Sequence, residues 1–280
     1  MTADGDDGPA RLAAFLAAAA ADPAATLVAL DFDGTLAPIV PDPADSRPVP
    51  GALDVLAALG AAGVEVAVVT GRAPDVAARL AGLADATAAG LSALVVHGHY
   101  GLQTWSRDAG LTSAADEGAD AAVDRVRSAL PGVLRGAKAP RGVVVEDKGV
   151  ALGVHTRQAD DPQAALDLLA PALADLAERE GLQVQPGRYV CEIRPHGVDK
   201  GVVLTGLLDG AAAALYAGDD LGDLPAFVAL SAAGRRGTAT VGLASGQEGT
   251  DPRVEAAADL TVDGPAGVVD VLRQLADRLR

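Results

Sequence analysis

Leu27-Val28-Ala29-Leu30-Asp31-Phe32-Asp33-Gly34-Thr35 is the stretch on which the reading of this chain turns. Four apolar residues in a row, with no polar alternation, predict a strand buried on both faces, and such strands belong inside parallel sheets. Two carboxylates two positions apart follow at once, and Gly34 turns the chain. Alternate residues of a strand point the same way, and the turn after Asp31 can bring both acids to one pocket. In open α/β sheets ligands bind outside the carboxyl ends of the strands. Two charges therefore stand where chemistry is expected. A helix-capping aspartate would account for one of them, not for both.

The alternation continues outward. Residues 51–62 carry Leu53, Leu56 and Leu59 and predict a helix. Residues 64–69 (VEVAVV) predict a second strand ending at Thr70-Gly71-Arg72, and Pro74 suits the first turn of the next helix. Residues 93–96 form a third strand, followed by His97-Gly98-His99-Tyr100-Gly101. Strand, helix, strand, helix, strand means a parallel α/β sheet. Residues 38–50 hold five prolines and read as a loop near the two acids.

The pattern then changes. Helices over 114–130 and 162–180 alternate with strand pairs at 143–145 and 150–155, and at 183–184 and 189–193. That is an α+β arrangement, so we expect a core over 1–104, an inserted cap over 105–196, and a return to the core over 197–280. Asp199-Lys200-Gly201 opens a helix to 208, a strand at 212–217 ends in Gly218-Asp219-Asp220, and strands at 238–242 and 260–262 precede a terminal helix.

Composition narrows the function. The chain has 280 residues, 50% of them hydrophobic but only 2% aromatic, so its core must rest on Ala, Val and Leu. With 22 basic and 38 acidic residues the formal charge is −16, which argues against nucleic acid as a partner. An anionic substrate would have to be drawn by local cations and backbone dipoles. Only three lysines occur, Lys138, Lys148 and Lys200. The single cysteine, Cys191, excludes an internal disulfide, and no apolar run is long enough for a membrane span. The alanine-rich residues 11–21 follow Asp4, Asp6 and Asp7, which suits a helix and not a leader. A soluble cytoplasmic protein is expected.

The DxDGT pattern after an apolar strand resembles the phosphotransferases of the haloacid dehalogenase superfamily. The resemblance implies a Rossmann-like core with a C2-type α+β cap. It also implies that Asp31 is the nucleophile forming an aspartyl-phosphate and that Asp33 is the acid and base. Thr70, Lys200 and Asp219 fall in the order of the remaining superfamily motifs. Thr70 can donate to a phosphate oxygen, and Lys200 adds a cation at a helix N-terminus. Asp31, the backbone carbonyl of Asp33, and Asp219 would hold Mg²⁺, a hard ion that takes oxygen ligands. Asp220 and Asp223 would orient bound waters.

Val145-Glu146-Asp147-Lys148-Gly149, His155-Thr156-Arg157, Cys191-Glu192-Ile193-Arg194-Pro195 and Asp199-Lys200-Gly201 narrow this further. With Gly218-Asp219-Asp220, they closely resemble the trehalose-6-phosphate phosphatases over about residues 26–275. By that resemblance Glu146, Lys148 and Glu192 contact sugar hydroxyls. Arg72, Arg157, Arg188 and Arg194 are further candidates for substrate contact. The implied substrate is a small sugar phosphate, without nucleic acid or membrane. Association with a trehalose-6-phosphate synthase and a monomeric state complete the expectation. The alternatives are another sugar phosphate such as sucrose phosphate, a phosphomutase, and a catalytically silent sugar-binding regulatory domain. The sequence departs from the family at Phe32, Tyr100, Thr156, Gly222 and Leu224.

Overall fold

A computed structural model describes residues 7–113, 117–187, 189–247 and 249–280. The chain forms two compact units, Met1–Ser113 with Asp199–Arg280, and Ala114–Val198.

The first unit is an α/β structure around one eight-stranded sheet. Its first part runs α1 (Gly8–Ala21), β1 (Thr26–Leu30), α2 (Ala52–Ala61), β2 (Glu65–Val69), α3 (Pro74–Leu80), β3 (Val95–Gly98), β4 (Gln103–Ser106) and β5 (Gly110–Ser113). The second unit supplies α4 (Glu117–Gly136), β6 (Val144–Asp147), β7 (Leu152–His155), α5 (Pro162–Arg179), β8 (Gln183–Gly187) and β9 (Val190–Arg194). The chain then returns with α6 (Lys200–Leu207), β10 (Ala213–Gly218), α7 (Leu224–Arg235), β11 (Ala239–Gly246), α8 (Pro252–Ala257), β12 (Leu260–Asp263) and α9 (Gly264–Arg278).

The large sheet has the order β12-β11-β10-β1-β2-β3-β4-β5. Strands β12 to β3 are parallel, and β4 and β5 are antiparallel additions at one edge. Strand β1 lies at its centre, buried at every residue. The period of two divides its side chains between two cores. Val28 and Leu30 join Val68, Leu215 and Leu243 under α1, α2 and α9. Leu27 and Ala29 join Ala214, Tyr216 and Ala244 under α6, α7 and α8.

The second unit is a four-stranded antiparallel sheet, order β6-β7-β9-β8. Leu152, Val154, Cys191 and Ile193 pack beneath Val123 and Val126 of α4 and Leu169 and Leu173 of α5. Glu146, Gly153, Glu192 and Gln185 form one row across the other face of that sheet.

Residues 105–113 lie in the first unit, not in the insert where the sequence reading placed them. They form the end of β4, the turn and β5, and they pair with β3 through β4. Helix α8 was also unforeseen. Residues 114–116 of the expected helix, and Arg188, lie outside the described residues. Among the described residues no helix is long and apolar enough to cross a membrane.

Candidate active site

The parallel register fixes where the polar residues fall. Leu30 pairs with Val68 on one side and Ala217 on the other, so Asp31, Thr70 and Asp219 leave the sheet together at its carboxyl edge. The Asp31 amide donates to the carbonyl of Ala217 at 2.9 Å, continuing the ladder into the site.

Lys200, the first residue of α6, sends Nζ to 2.9 Å from Asp31 Oδ1 and 2.7 Å from Asp223 Oδ1. Oxygens of Asp31, Asp219 and Asp223 lie within 4.8 Å of one another. Asp223 is fully buried and its two oxygens are already engaged. Oδ1 accepts from Lys200 Nζ and from the Tyr216 hydroxyl at 2.5 Å. Oδ2 accepts from the backbone amides of Asp219 and Asp220 at 2.9 and 3.0 Å. Asp223 thereby ties Lys200 and the 219–220 turn in place. The Asp220 carboxylate likewise caps that turn, accepting from the Gly222 amide at 2.8 Å.

The electrostatics follow from crowding in a dry place. Burial, reinforced by Asp223 and Asp219 and opposed by Lys200, holds the Asp31 carboxyl well above the usual carboxylate range. Burial, Asp223 and Asp220 push Asp219 up to about 7. Burial disfavours the Lys200 ammonium, but Asp223 and Asp31 outweigh it and hold its pKa well above the ordinary lysine value. Burial also opposes ionisation of Asp223, yet the charge and hydrogen bonds of Lys200, with the bond from Tyr216, hold its pKa low. One ammonium thus faces several carboxylates at one sheet edge. An oxygen-only donor set with surplus negative charge fits a hard divalent cation.

Gly34 makes the approach of the two loops possible. It sits at φ +77, and a Cβ there would lie 2.0 Å from Asp219 Oδ2. Ser245, at the end of β11, donates to the Gly34 carbonyl at 2.6 Å, and Gln247 Nε2 reaches Asp219 Oδ2 at 3.3 Å.

Asp33 is held differently. Arg72 grips it with two bonds, Nε to Oδ2 at 2.5 Å and Nη2 to Oδ1 at 2.6 Å. The guanidinium carbon stands 5.8 Å from the centre of the Phe32 ring. Ser46 Oγ donates to Asp33 Oδ1 at 2.9 Å. Arg72, expected as a substrate contact, is therefore engaged with the second acid. Thr70 is buried beside them, its hydroxyl accepting from the Arg72 amide at 3.2 Å. His99 and Tyr100, both left-handed at φ 48 and 58, clamp this loop. Their amides donate to the carbonyls of Arg72 and Thr70 at 2.9 and 3.1 Å. Strained backbone of this kind clusters at functional sites.

In the second unit Lys148 Nζ meets Glu192 Oε2 at 2.5 Å, and Arg194 Nη2 donates to Gln185 Oε1 at 3.0 Å. Glu146 Oε2 lies 2.8 Å from His155 Nε2. Lys148, Glu192, Arg194 and Gln185 thus lie together, Glu146 stands in the same row of the sheet as Glu192, and Arg157 is exposed beyond the end of β7. Sequence reasoning missed Ser46, Tyr216, Ser245 and Gln247, for which no motif gave a signal.

The fold is that of the haloacid dehalogenase-like hydrolases. A hydrolase of that class from Bacteroides thetaiotaomicron superposes with a TM-score of 0.56 at 17% identity, covering 89% of this chain and 98% of its own. Residues 29–258 match the family model described as trehalose-phosphatase, and the chain belongs to that family. A trehalose-phosphate phosphatase of Mycobacterium tuberculosis is 34% identical over 263 residues, 90% of this chain. The chain spans 62% of the length of that relative. The C-terminal domain of the Candida albicans trehalose-6-phosphate phosphatase shares the fold, with a TM-score of 0.74 at 20% identity and 97% of each chain covered.

Proposed function

We propose that the chain hydrolyses trehalose 6-phosphate to trehalose and inorganic phosphate. The observation that carries the reading is the grouping of Lys200 Nζ, 2.9 Å from Asp31, with carboxylate oxygens of Asp31 and Asp219 within 4.8 Å. Family membership and the curated relatives favour this sugar phosphate over others.

In the first half-reaction an Asp31 oxygen forms a bond to phosphorus as the bond from phosphorus to the sugar oxygen breaks. Asp33 gives its proton to that leaving oxygen. In the second, Asp33 takes a proton from water, whose oxygen bonds phosphorus as the aspartyl-phosphate bond breaks and phosphate leaves. Lys200 and Thr70 hold the transferring oxygens, the part that positioning and charge neutralisation play in phosphoryl transfer. Mg²⁺, held by Asp31, Asp219 and the Asp33 carbonyl, would supply charge neutralisation and keep Asp31 ionised. Glu146, Lys148 and Glu192 are assigned to sugar hydroxyls, supported by their convergence on one region of the second unit. Arg157, Arg188 and Arg194 are further candidates for substrate contact. The setting we assign is a cytoplasmic monomer supplied by a trehalose-6-phosphate synthase, with which it would associate.

Phosphate release from trehalose 6-phosphate, compared with sucrose 6-phosphate and glucose 6-phosphate, tests this. The disaccharide of trehalose should be preferred, EDTA should abolish release and Mg²⁺ restore it. Asp31→Asn should lose essentially all turnover while the circular dichroism spectrum is unchanged. Full activity in that variant, or in EDTA, overturns the reading.

A further inference from the structure

We infer that Ser46 is a positioning residue for Asp33, delivered by the proline-rich loop, and that without it proton delivery to a basic leaving group is slowed. The inference rests on the phosphatase reading given above. Ser46 is fully buried, and its hydroxyl donates to Asp33 Oδ1 at 2.9 Å.

The loop that carries Ser46 is stiff for reasons written in its sequence. Five prolines lie within residues 38–50, and each fixes its own φ and restricts the residue before it. Asp42 caps a short turn at Pro43–Asp45 by accepting from the Ala44 amide at 2.9 Å. Arg47 folds back and donates to the carbonyls of Ala44 and Ser46, both at 2.8 Å. The Val49 amide donates to the carbonyl of Leu36 at 2.9 Å, fastening the loop to the turn that follows the two acids. All of these braces are made within the chain itself, so the serine hydroxyl arrives at a fixed place.

Arg72 also grips Asp33, but the two partners differ in kind. A guanidinium offers only donors and is a cation for which an arriving phosphate dianion competes. A hydroxyl both donates and accepts, so Ser46 can stay with the Asp33 carboxyl group before and after it hands over its proton. Ser46 is fully buried and neutral, so it carries no charge for an anionic substrate to draw away from Asp33. The geometry of the acid relative to the leaving oxygen then depends on Ser46 when Arg72 turns to phosphate. Misplacement of a catalytic group by a fraction of an ångström is costly in rate.

Leaving groups separate a positioning role from a merely structural one. A sugar alkoxide must receive a proton as it departs, whereas dinitrophenolate leaves without one. Purified wild type, Ser46→Ala and Ser46→Thr are compared on trehalose 6-phosphate and on 2,4-dinitrophenyl phosphate. In Ser46→Ala we expect kcat for the sugar phosphate to fall about tenfold with KM changed by less than about twofold. For dinitrophenyl phosphate, kcat/KM, which reports only transfer of the phosphoryl group to Asp31 and needs no proton from Asp33, should stay within about twofold of wild type, which also certifies that the variant is folded. Ser46→Thr, which keeps the hydroxyl, should recover most of the sugar-phosphate rate. Equal losses in kcat/KM on the two substrates, or no loss on either, overturn the assignment of Ser46 and leave the phosphatase reading standing. A wild-type chain inactive on both substrates overturns the two together.

Discussion

Asp223 shows how a residue can be legible by motif while its partners are not. It lies in the Gly218-Asp219-Asp220 neighbourhood and so draws attention as part of a metal site. Its four donors make it the anchor between Lys200, Tyr216 and the turn bearing Asp219. Hydrogen-bond saturation of this sort depends on residues at sequence separations that no local pattern exposes. Tyr216 is the clearest case. In the sequence it is one more apolar-looking residue of a buried strand, and its hydroxyl finds Asp223 only because the chain folds back through the 219–222 turn. The ring also packs edge-on against Phe227, centroids 5.3 Å apart. Tyr216→Phe keeps that packing and removes the donor. We expect a loss of about 1 kcal/mol in denaturant unfolding, with kcat several-fold lower because Lys200 is less firmly placed. Unchanged kcat would show that the Lys200–Asp31 contact is independent of the tyrosine. Asp31, Lys200 and Asp219, by contrast, were legible, because each ends a strand or opens a helix at the edge where such sheets place their chemistry.

Among the elements, the fully buried strands announced themselves. Continuous apolar runs mark β1 and β10, and the parallel sheet around them follows from the intervening helices. The β4–β5 hairpin did not. Gln103–Ser106 is half-buried throughout and Gly110–Ser113 mostly exposed, so neither carries the alternation that a half-buried strand needs. Position in the sheet, not propensity, makes them strands. Helix packing can be tested at α6, whose first residue is Lys200. A Cβ on Gly201 would lie 2.5 Å from the carbonyl oxygen of Pro225 in the first turn of α7. Backbone cannot yield as a flexible side chain can, so Gly201→Ala must lift α6 away from α7 and carry the Lys200 ammonium off Asp31. Activity should fall at least about tenfold, while far-ultraviolet circular dichroism retains the native helix content. A Gly201→Ala enzyme with wild-type kinetics would mean that α6 can shift without moving its lysine.

At the scale of the whole molecule, each unit buries its own apolar core, and each happens to hold one intrinsic reporter. Trp105, the single tryptophan, sits in β4 and packs against the larger core of the first unit. Cys191, the single cysteine, is buried in β9 within the core of the second. Burial pushes its thiol up to about 11 from an ordinary value near 9.0, so in the folded protein it is protonated and unreactive at neutral pH. The sign of the linkage follows: this contribution to stability is complete below pH 9 and is lost as pH rises through 9 toward 11. A smaller unit buries a smaller fraction of its surface on folding and is the less stable partner on that ground alone. Guanidinium titrations read by Trp105 fluorescence and by the rate of Cys191 modification with a disulfide reagent should therefore give two midpoints. The thiol should become reactive at the lower concentration, and raising the pH from 8 to 10 should lower the thiol midpoint more than the fluorescence one. Coincident midpoints that move together with pH would show a single cooperative unit, and the separation into two independently stabilised cores would have to be abandoned.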